Sequence, residues 1–252
     1  MLQLVTVAAV ALAICIGLSI FFKVDTLSVS GLEKYQYNSV AEASGIQTGD
    51  SLIFFSRAEV SSKILRALPY VTSVRVGITL PGTVNIVIEE VQVAYSIQDE
   101  YGHWWLISAE GKVLEQTDQA SAAQHTTIVG VSLANPSEGK QAGASEVISN
   151  QTDTPVTVTG ADRLKAALAI LQAMEKNEIL GQLSSVDVTS VYDLQLWHGN
   201  EYQFKLGDTT ELTLKLAYIK SVLPRILSEY PPGCIDVSDP TNSDGFPFRE
   251  LE

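Results

Sequence analysis

Histidine and cysteine are scarce in this chain, with three of the first and two of the second in 252 residues. Two thiols, Cys15 and Cys234, cannot build a framework of several disulfides, and Cys15 lies inside an uncharged apolar run that argues against a bridge to Cys234. His103, His125 and His198 stand far apart in sequence and offer no zinc-ligand spacing, so neither a metal nor a cofactor is expected. Cations are short too. Sixteen Lys and Arg against 29 Asp and Glu leave a formal charge of −13, which argues against nucleic acid or anionic headgroups as the main partner. Also missing is a Gly-rich loop of the kind that cradles phosphate ahead of a helix.

Apolar sequence, by contrast, is concentrated at the N-terminus. Residues 4–22, LVTVAAVALAICIGLSIFF, run for nineteen positions without a charge, and Lys23 closes them. As a helix at about 1.5 Å per residue this stretch reaches roughly 28 Å, close to the thickness of a hydrocarbon core. A cleavable signal peptide has a basic start and a shorter apolar run, about 7–15 residues, so an uncleaved transmembrane anchor over 1–23 is expected. The nearest cation, Lys23, follows the span, and the positive-inside rule alone would place the bulk of the chain inside the cell.

Behind the anchor, Val24, Leu27 and Val29 begin a strand that stops at Gly31. Asn38 is positioned to cap a short helix through Ser44, and Ser56 with Glu59 reads as a capping box for a second helix carrying Val60, Ile64, Leu65 and Leu68. Pro69 ends that helix. Then Val74, Val76, Ile78 and Leu80 alternate with polar residues, Pro81-Gly82 turns the chain, and Val84, Ile86 and Ile88 alternate again. This period-two pattern predicts an antiparallel hairpin whose apolar face lies under the two helices, giving a β-α-α-β-β unit. Arg75, Gly77 and Thr79, with Asn85, Val87 and Glu89, take the opposite face.

Further on, a stretch rich in Gly, Ser, Ala and Gln spans 117–160, and a helix is expected from about 162 to 176 with Leu164, Leu168 and Leu171 on one side. Short strands follow at 186–189, 192–197 and 202–206. Asp208 to Glu211 offers a second N-terminal box for a helix bearing Leu212, Leu216, Ile219, Val222 and Leu223, which Pro224 should kink or restart. A last strand, 234–237, precedes a polar tail.

Several short motifs fall in a definite order: FKV at 22–24, VSG at 29–31, SGI at 44–46, GDSL at 49–52, LPYV at 68–71 and PGTV at 81–84. IEE at 88–90, WLIS at 105–108, GKVL at 111–114, Lys215-Leu216 and IDVS at 235–238 continue the series. In this order, behind an apolar anchor, the chain resembles the FtsQ/DivIB family of bacterial cell-division proteins over about 190 residues. The resemblance implies an α+β chain: anchor 1–23, POTRA domain 24–95, a second mixed α/β domain with an antiparallel-rich sheet over 96–240, and a polar tail 241–252. It also implies a single membrane crossing with the bulk of the chain outside, at the division septum, although almost no lead precedes the span here. The implied role is a scaffold that holds FtsB/DivIC-like and FtsL-like bitopic partners and helps regulate the septal peptidoglycan synthase complex. Carried onto this sequence, the partner-binding positions are Tyr230, Ile235, Asp236, Val237, Ser238 and Asp239, at the end of the last helix and along the last strand. The alternative is a POTRA-bearing component of protein secretion or outer-membrane assembly; those modules usually come in tandem before a barrel, and no long series of alternating segments follows here.

No catalytic constellation emerges. Ser137 and Lys140 have the Ser-x-x-Lys spacing of penicillin-binding enzymes but lack the other two motifs of that site. Cys234 has no neighbouring base, Glu89 and Glu90 should point to opposite faces of a strand, and His103-Trp104-Trp105 reads as core more readily than as a sugar platform. An open sheet leaves unpaired backbone edges, and a partner strand can add to them.

Overall fold

The computed structural model describes residues 6, 7, 10, 22–52, 55–146, 158–179, 181–239 and 248–250. The expected anchor falls almost wholly outside them, as does most of the expected tail. Among the described residues no helix is long and apolar enough to cross a membrane. The chain divides into two compact units, Met1–Val91 and Gln92–Glu252.

In the first unit the strands are β1 (Thr26–Ser30), β2 (Val71–Thr79) and β3 (Thr83–Glu90), and the helices α1 (Tyr37–Ser44) and α2 (Arg57–Ala67). β3 is central, parallel to β1 and antiparallel to β2, so that Ile86 sits opposite both Val29 and Val76. The alternation in the hairpin lands as expected. Val84, Ile86 and Ile88 are at most 1% exposed and pack with Val40, Val60, Ile64 and Leu68 from the helices, while Val74, Val76 and Ile78 border the same core. Leu80 departs from the pattern, because β2 ends at Thr79 and Leu80 stands exposed at the turn.

Helix boundaries shift for local reasons. α1 begins one residue before Asn38, and its cap position, Gln36, makes no side-chain capping bond. Ser56 does accept from Glu59 N, but the Glu59 carboxylate pairs with Lys63 at 2.9 Å instead of returning to the cap. Glu89 and Glu90 do point apart. Glu89 bonds Ser73 and Arg75 at 2.8 Å on the exposed face, and buried Glu90 accepts from Lys34 N at 2.6 Å and Tyr35 N at 3.3 Å. This carboxylate ties the β1–α1 loop to the sheet, and Lys34 Nζ lies 3.3 Å from the centre of the Tyr70 ring, where a cation is attracted to the aromatic face.

The second unit contains β4 (Tyr95–Gln98), β5 (Trp104–Ile107), β6 (Val113–Thr117), α3 (Gln119–Ala122), β7 (Thr126–Val129), α4 (Gly160–Lys176) and β8 (Ser185–Asp187). β9 (Leu194–His198), β10 (Tyr202–Gly207), α5 (Leu212–Glu229), β11 (Gly233–Asp236) and β12 (Phe248–Glu250) complete it. One sheet runs in the order β12-β11-β10-β9-β8-β7-β4-β5-β6. The β4–β7, β7–β8 and β10–β11 pairs are parallel and the other pairs antiparallel. Leu164, Ile170 and Leu171 of α4 and Leu216, Ile219 and Leu223 of α5 share one core with Ile97, Val186, Leu196, Phe204 and Ile235 of the strands.

α4 starts two residues earlier than the leucine spacing suggests. Thr159 Oγ1 accepts from Asp162 N at 3.1 Å and Asp162 accepts from Thr159 N at 3.0 Å, a reciprocal cap that closes the first turn. The box expected at 208–211 does not form. Asp208 folds back onto Thr210, accepting from its backbone N at 3.0 Å, and Glu211 enters α5 with φ 51° and no side-chain cap. Nor does Pro224 restart the helix; α5 runs without interruption through it.

Half-buried Glu175 carries a charge in an unfavourable place. Burial first, and the nearby Glu110 carboxylate second, push its pKa above the usual carboxylate range. Tyr95 Oη is buried without an acceptor of ordinary hydrogen-bond geometry, and its pKa is raised by burial first and then by the charges of Glu175 and Glu110. A carboxyl whose folded pKa exceeds its unfolded value of about 4.3 binds more protons in the folded state, so its contribution to stability falls as pH rises between the two values. Glu175→Gln removes that cost. It is expected to raise the melting temperature at pH 8 by roughly 1–3 °C, with the gain vanishing below about pH 4, in melts followed across pH.

Candidate partner-binding edge

Next to one rim of the second sheet lies the β10–β11 crossover. β11 lies parallel to β10, with Tyr202 opposite Gly233 and Phe204 opposite Ile235. Gly233 N donates to Glu201 O at 3.0 Å and Val237 N to Lys205 O at 2.8 Å, fixing both ends of the strand. α5 forms the connection, and its register is held by Lys215. That side chain is fully buried, and its Nζ donates to Leu206 O at 2.8 Å and Asp208 O at 3.2 Å, where β10 ends.

Cys234–Val237, expected as the last strand, does not occupy the rim. β12 pairs antiparallel with β11, setting Gly233 against Glu250, Cys234 against Arg249 and Ile235 against Phe248. The ring of Phe248 lies so close over Gly233 that a Cβ there would come within 2.3 Å of it. Only glycine admits this aromatic lid. Among the described residues the outer backbone edge at this end of the sheet is therefore the short β12, whose Arg249 and Glu250 are exposed.

Six positions expected to receive a partner separate by geometry. Ile235 and Val237 are 3% and 0% exposed and belong to the core. Asp236 closes the strand by accepting from Ser238 N at 3.0 Å and from its hydroxyl at 2.6 Å, and Ser238 and Asp239 are exposed just beyond. Tyr230 caps the end of α5, is 38% exposed, and accepts from Tyr202 Oη through its carbonyl at 3.0 Å. Its ring meets that of Phe248 at 5.1 Å between centroids. Around this pair lies a groove of about 120 Å³ walled by Tyr218, Val222, Arg225, Ile226 and Ile235. The reading of the sequence missed Phe248 and the α5 residues. FPF at 246–248, an aromatic pair inside a polar tail, is the signal that could have found β12.

The enzyme-like fragments are occupied elsewhere. Burial, the largest influence, raises the Cys234 thiol above its ordinary pKa, the reverse of what a nucleophile needs. Lys140 N donates to Ser137 O at 3.1 Å across a turn, and Lys140 O accepts from Val113 N, so the Ser-x-x-Lys fragment is an edge loop. Trp105 Nε1 donates to Asp99 Oδ2 at 3.1 Å, and His103 Nδ1 meets the same oxygen at 3.0 Å. Burial would raise the Asp99 pKa, but bonds from His103, Trp105 and Tyr101 together hold it below the usual value. Among the described residues no group of three or more His, Cys, Asp or Glu could hold a metal ion.

Two family descriptions match the chain in order. "POTRA domain, FtsQ-type" covers residues 22–91, and "Cell division protein FtsQ/DivIB, C-terminal" covers 96–238. Cell division protein DivIB of Clostridium acetobutylicum is 22% identical over 132 residues, 52% of this chain and 52% of the relative. Cell division protein FtsQ of Geotalea daltonii is 24% identical over 131 residues, 51% of this chain and 46% of the relative. The chain thus spans about half the length of the curated relatives it matches. With the β-α-α-β-β unit inside the first matched region, and all of the larger sheet except Tyr95 and β12 inside the second, the chain belongs to the FtsQ/DivIB family of cell-division proteins.

Proposed function

We propose that the chain is a non-enzymatic divisome scaffold, anchored once in the membrane through residues 4–22 with its bulk outside at the septum. It takes FtsB/DivIC-like and FtsL-like bitopic proteins and so helps recruit and regulate the septal peptidoglycan synthase complex. The observation that carries this reading is the backbone rim at β12 beside the Tyr230–Phe248 aromatic pair. An edge strand supplies main-chain donors and acceptors for strand addition, and an adjacent aromatic-walled groove supplies the side-chain anchor that gives such additions specificity. Partner contact falls on Tyr230, on the exposed Asp236–Ser238–Asp239 turn and on β12, while Ile235 and Val237 support the rim from the core.

Aromatic residues at the centre of an interface dominate its binding energy, with about 2 kcal/mol or more lost on truncation. Tyr230→Ala is therefore expected to weaken capture of an FtsB/DivIC-like protein by about thirtyfold in a pull-down from detergent, with the melt of the second unit shifted by only a few degrees. Unchanged capture by a folded Tyr230→Ala protein would remove the groove from the interface. A fluorescent fusion is expected to gather at mid-cell, and uniform membrane fluorescence would count against the septal role.

A further inference from the structure

The second unit carries another recess, remote in sequence from the β12 rim and independent of the scaffold reading. β4, β7 and β8 run parallel side by side, and α4 is the crossover from β7 to β8. β4 leads instead into its hairpin with β5, so neighbouring connections diverge at the carboxyl ends of β4 and β7. In sheets with parallel strands, a crevice at such a divergence is where ligands bind. A recess of about 260 Å³ is found there, lined by Gln98, Trp104, Thr127, Ser132, Ser145 and Arg163, with Gly160 of the first turn of α4 at its border.

Arg163 is the one charged residue among those lining the recess. Its Nη1 donates to Gly130 O at 3.2 Å, which tethers the guanidinium to the end of β7. Its Nε is buried with no hydrogen-bond partner. Asp162, the adjacent carboxylate, is engaged with Thr159. A buried donor on a permanent cation without an acceptor is costly, and a guanidinium offers parallel N–H groups that match the two oxygens of a carboxylate. Phosphate fits less well. Glu100 bonds Ser145 Oγ at 3.2 Å beside the recess, and a second negative charge would meet that carboxylate with a single cation to offset it. Trp104, Ile128 and Val131 supply an apolar wall. The volume equals roughly nine waters and lies below the roughly 300–1,000 Å³ of drug-sized sites, which suits one residue of a peptide.

We propose that this recess binds the carboxylate of a short peptide, with Arg163 pairing the charge and Trp104 forming the apolar wall. The test is calorimetric titration of the full chain in detergent with acetyl-dialanine bearing a free carboxylate, with its terminal amide, and with inorganic phosphate. Acetyl-dialanine is expected to saturate, the amide to bind at least about tenfold more weakly, and phosphate more weakly than the free acid. Arg163→Lys retains the charge but loses the fork, and is expected to weaken acetyl-dialanine by about tenfold. Shifts in the ¹⁵N-resolved amides of Gly130, Ser132 and Gly160 on titration place the ligand. No saturation by about 10 mM, ten times the Kd expected of one charge-assisted contact, overturns the proposal. So does equal binding of amide and acid, tighter binding of phosphate, or a folded Arg163→Lys protein with unchanged affinity. The amide comparison uses the unaltered protein and decides the matter even where the variant fails to fold.

Discussion

Lys215→Ala is expected to destabilise the second unit by about 3 kcal/mol, and Lys215→Glu by more than about 4 kcal/mol. The side chain is fully buried and its ammonium meets the carbonyls of Leu206 and Asp208, with the half-exposed Asp208 carboxylate at 3.4 Å. Alanine leaves both a cavity and carbonyl oxygens without their donor. Methionine fills the volume and removes the cost of burying a charge, so Lys215→Met is expected to lose only about 1 kcal/mol. The difference between Ala and Met separates packing from hydrogen bonding. Because all three tryptophans, Trp104, Trp105 and Trp197, lie in the second unit, their fluorescence during urea unfolding reports that unit selectively. Equal stability of the wild-type and Ala proteins would mean that the β10–α5 junction is held without the lysine.

Gly31→Ala is expected to have the largest effect in the first unit, about 3 kcal/mol or more. Gly31 has φ +83°, which an L side chain adopts at a cost, and a Cβ there would sit 2.0 Å from Ile88 O. That carbonyl is backbone of the central strand, so the loop must move instead. Moving it strains the bonds from Lys34 N and Tyr35 N to Glu90 and the contact of Lys34 with the Tyr70 ring. Loss of this unit is expected to appear in circular dichroism at lower urea while the tryptophan transition stays in place. Coincident shifts of both signals would mean that the two units unfold as one.

Much of this architecture was written in local pattern. Val84, Ile86 and Ile88 alternate because one face of β3 is buried, and Leu164, Leu168 and Leu171 recur because one side of α4 meets the core. The strand order was not legible, since the parallel pairing of β4 with β7 and β8 joins residues far apart in the chain and leaves no local period. Polar burial was equally hidden. Ser96 resembles a solvent-facing residue until its hydroxyl is seen bonded to Thr127 at 2.9 Å, and Lys215 sits at a helix position that its charge would assign to the surface. Of the positions proposed to bind a partner, Tyr230 and the Asp236 turn were reachable from the family pattern. β12 left only the aromatic pair of FPF at 246–248 as a trace, because three residues after a Pro- and Gly-containing stretch carry no alternation, and Phe248 shows its use only once it covers Gly233.

Scaffolding through a main-chain rim is tested most directly by hydrogen–deuterium exchange on the full chain in detergent, with and without a saturating FtsB/DivIC-like protein. Slowed exchange is expected at the Arg249 and Glu250 amides and at the Tyr230 end of α5, with the central strands unchanged. Unaltered exchange along β12 in a complex shown to be formed would contradict it.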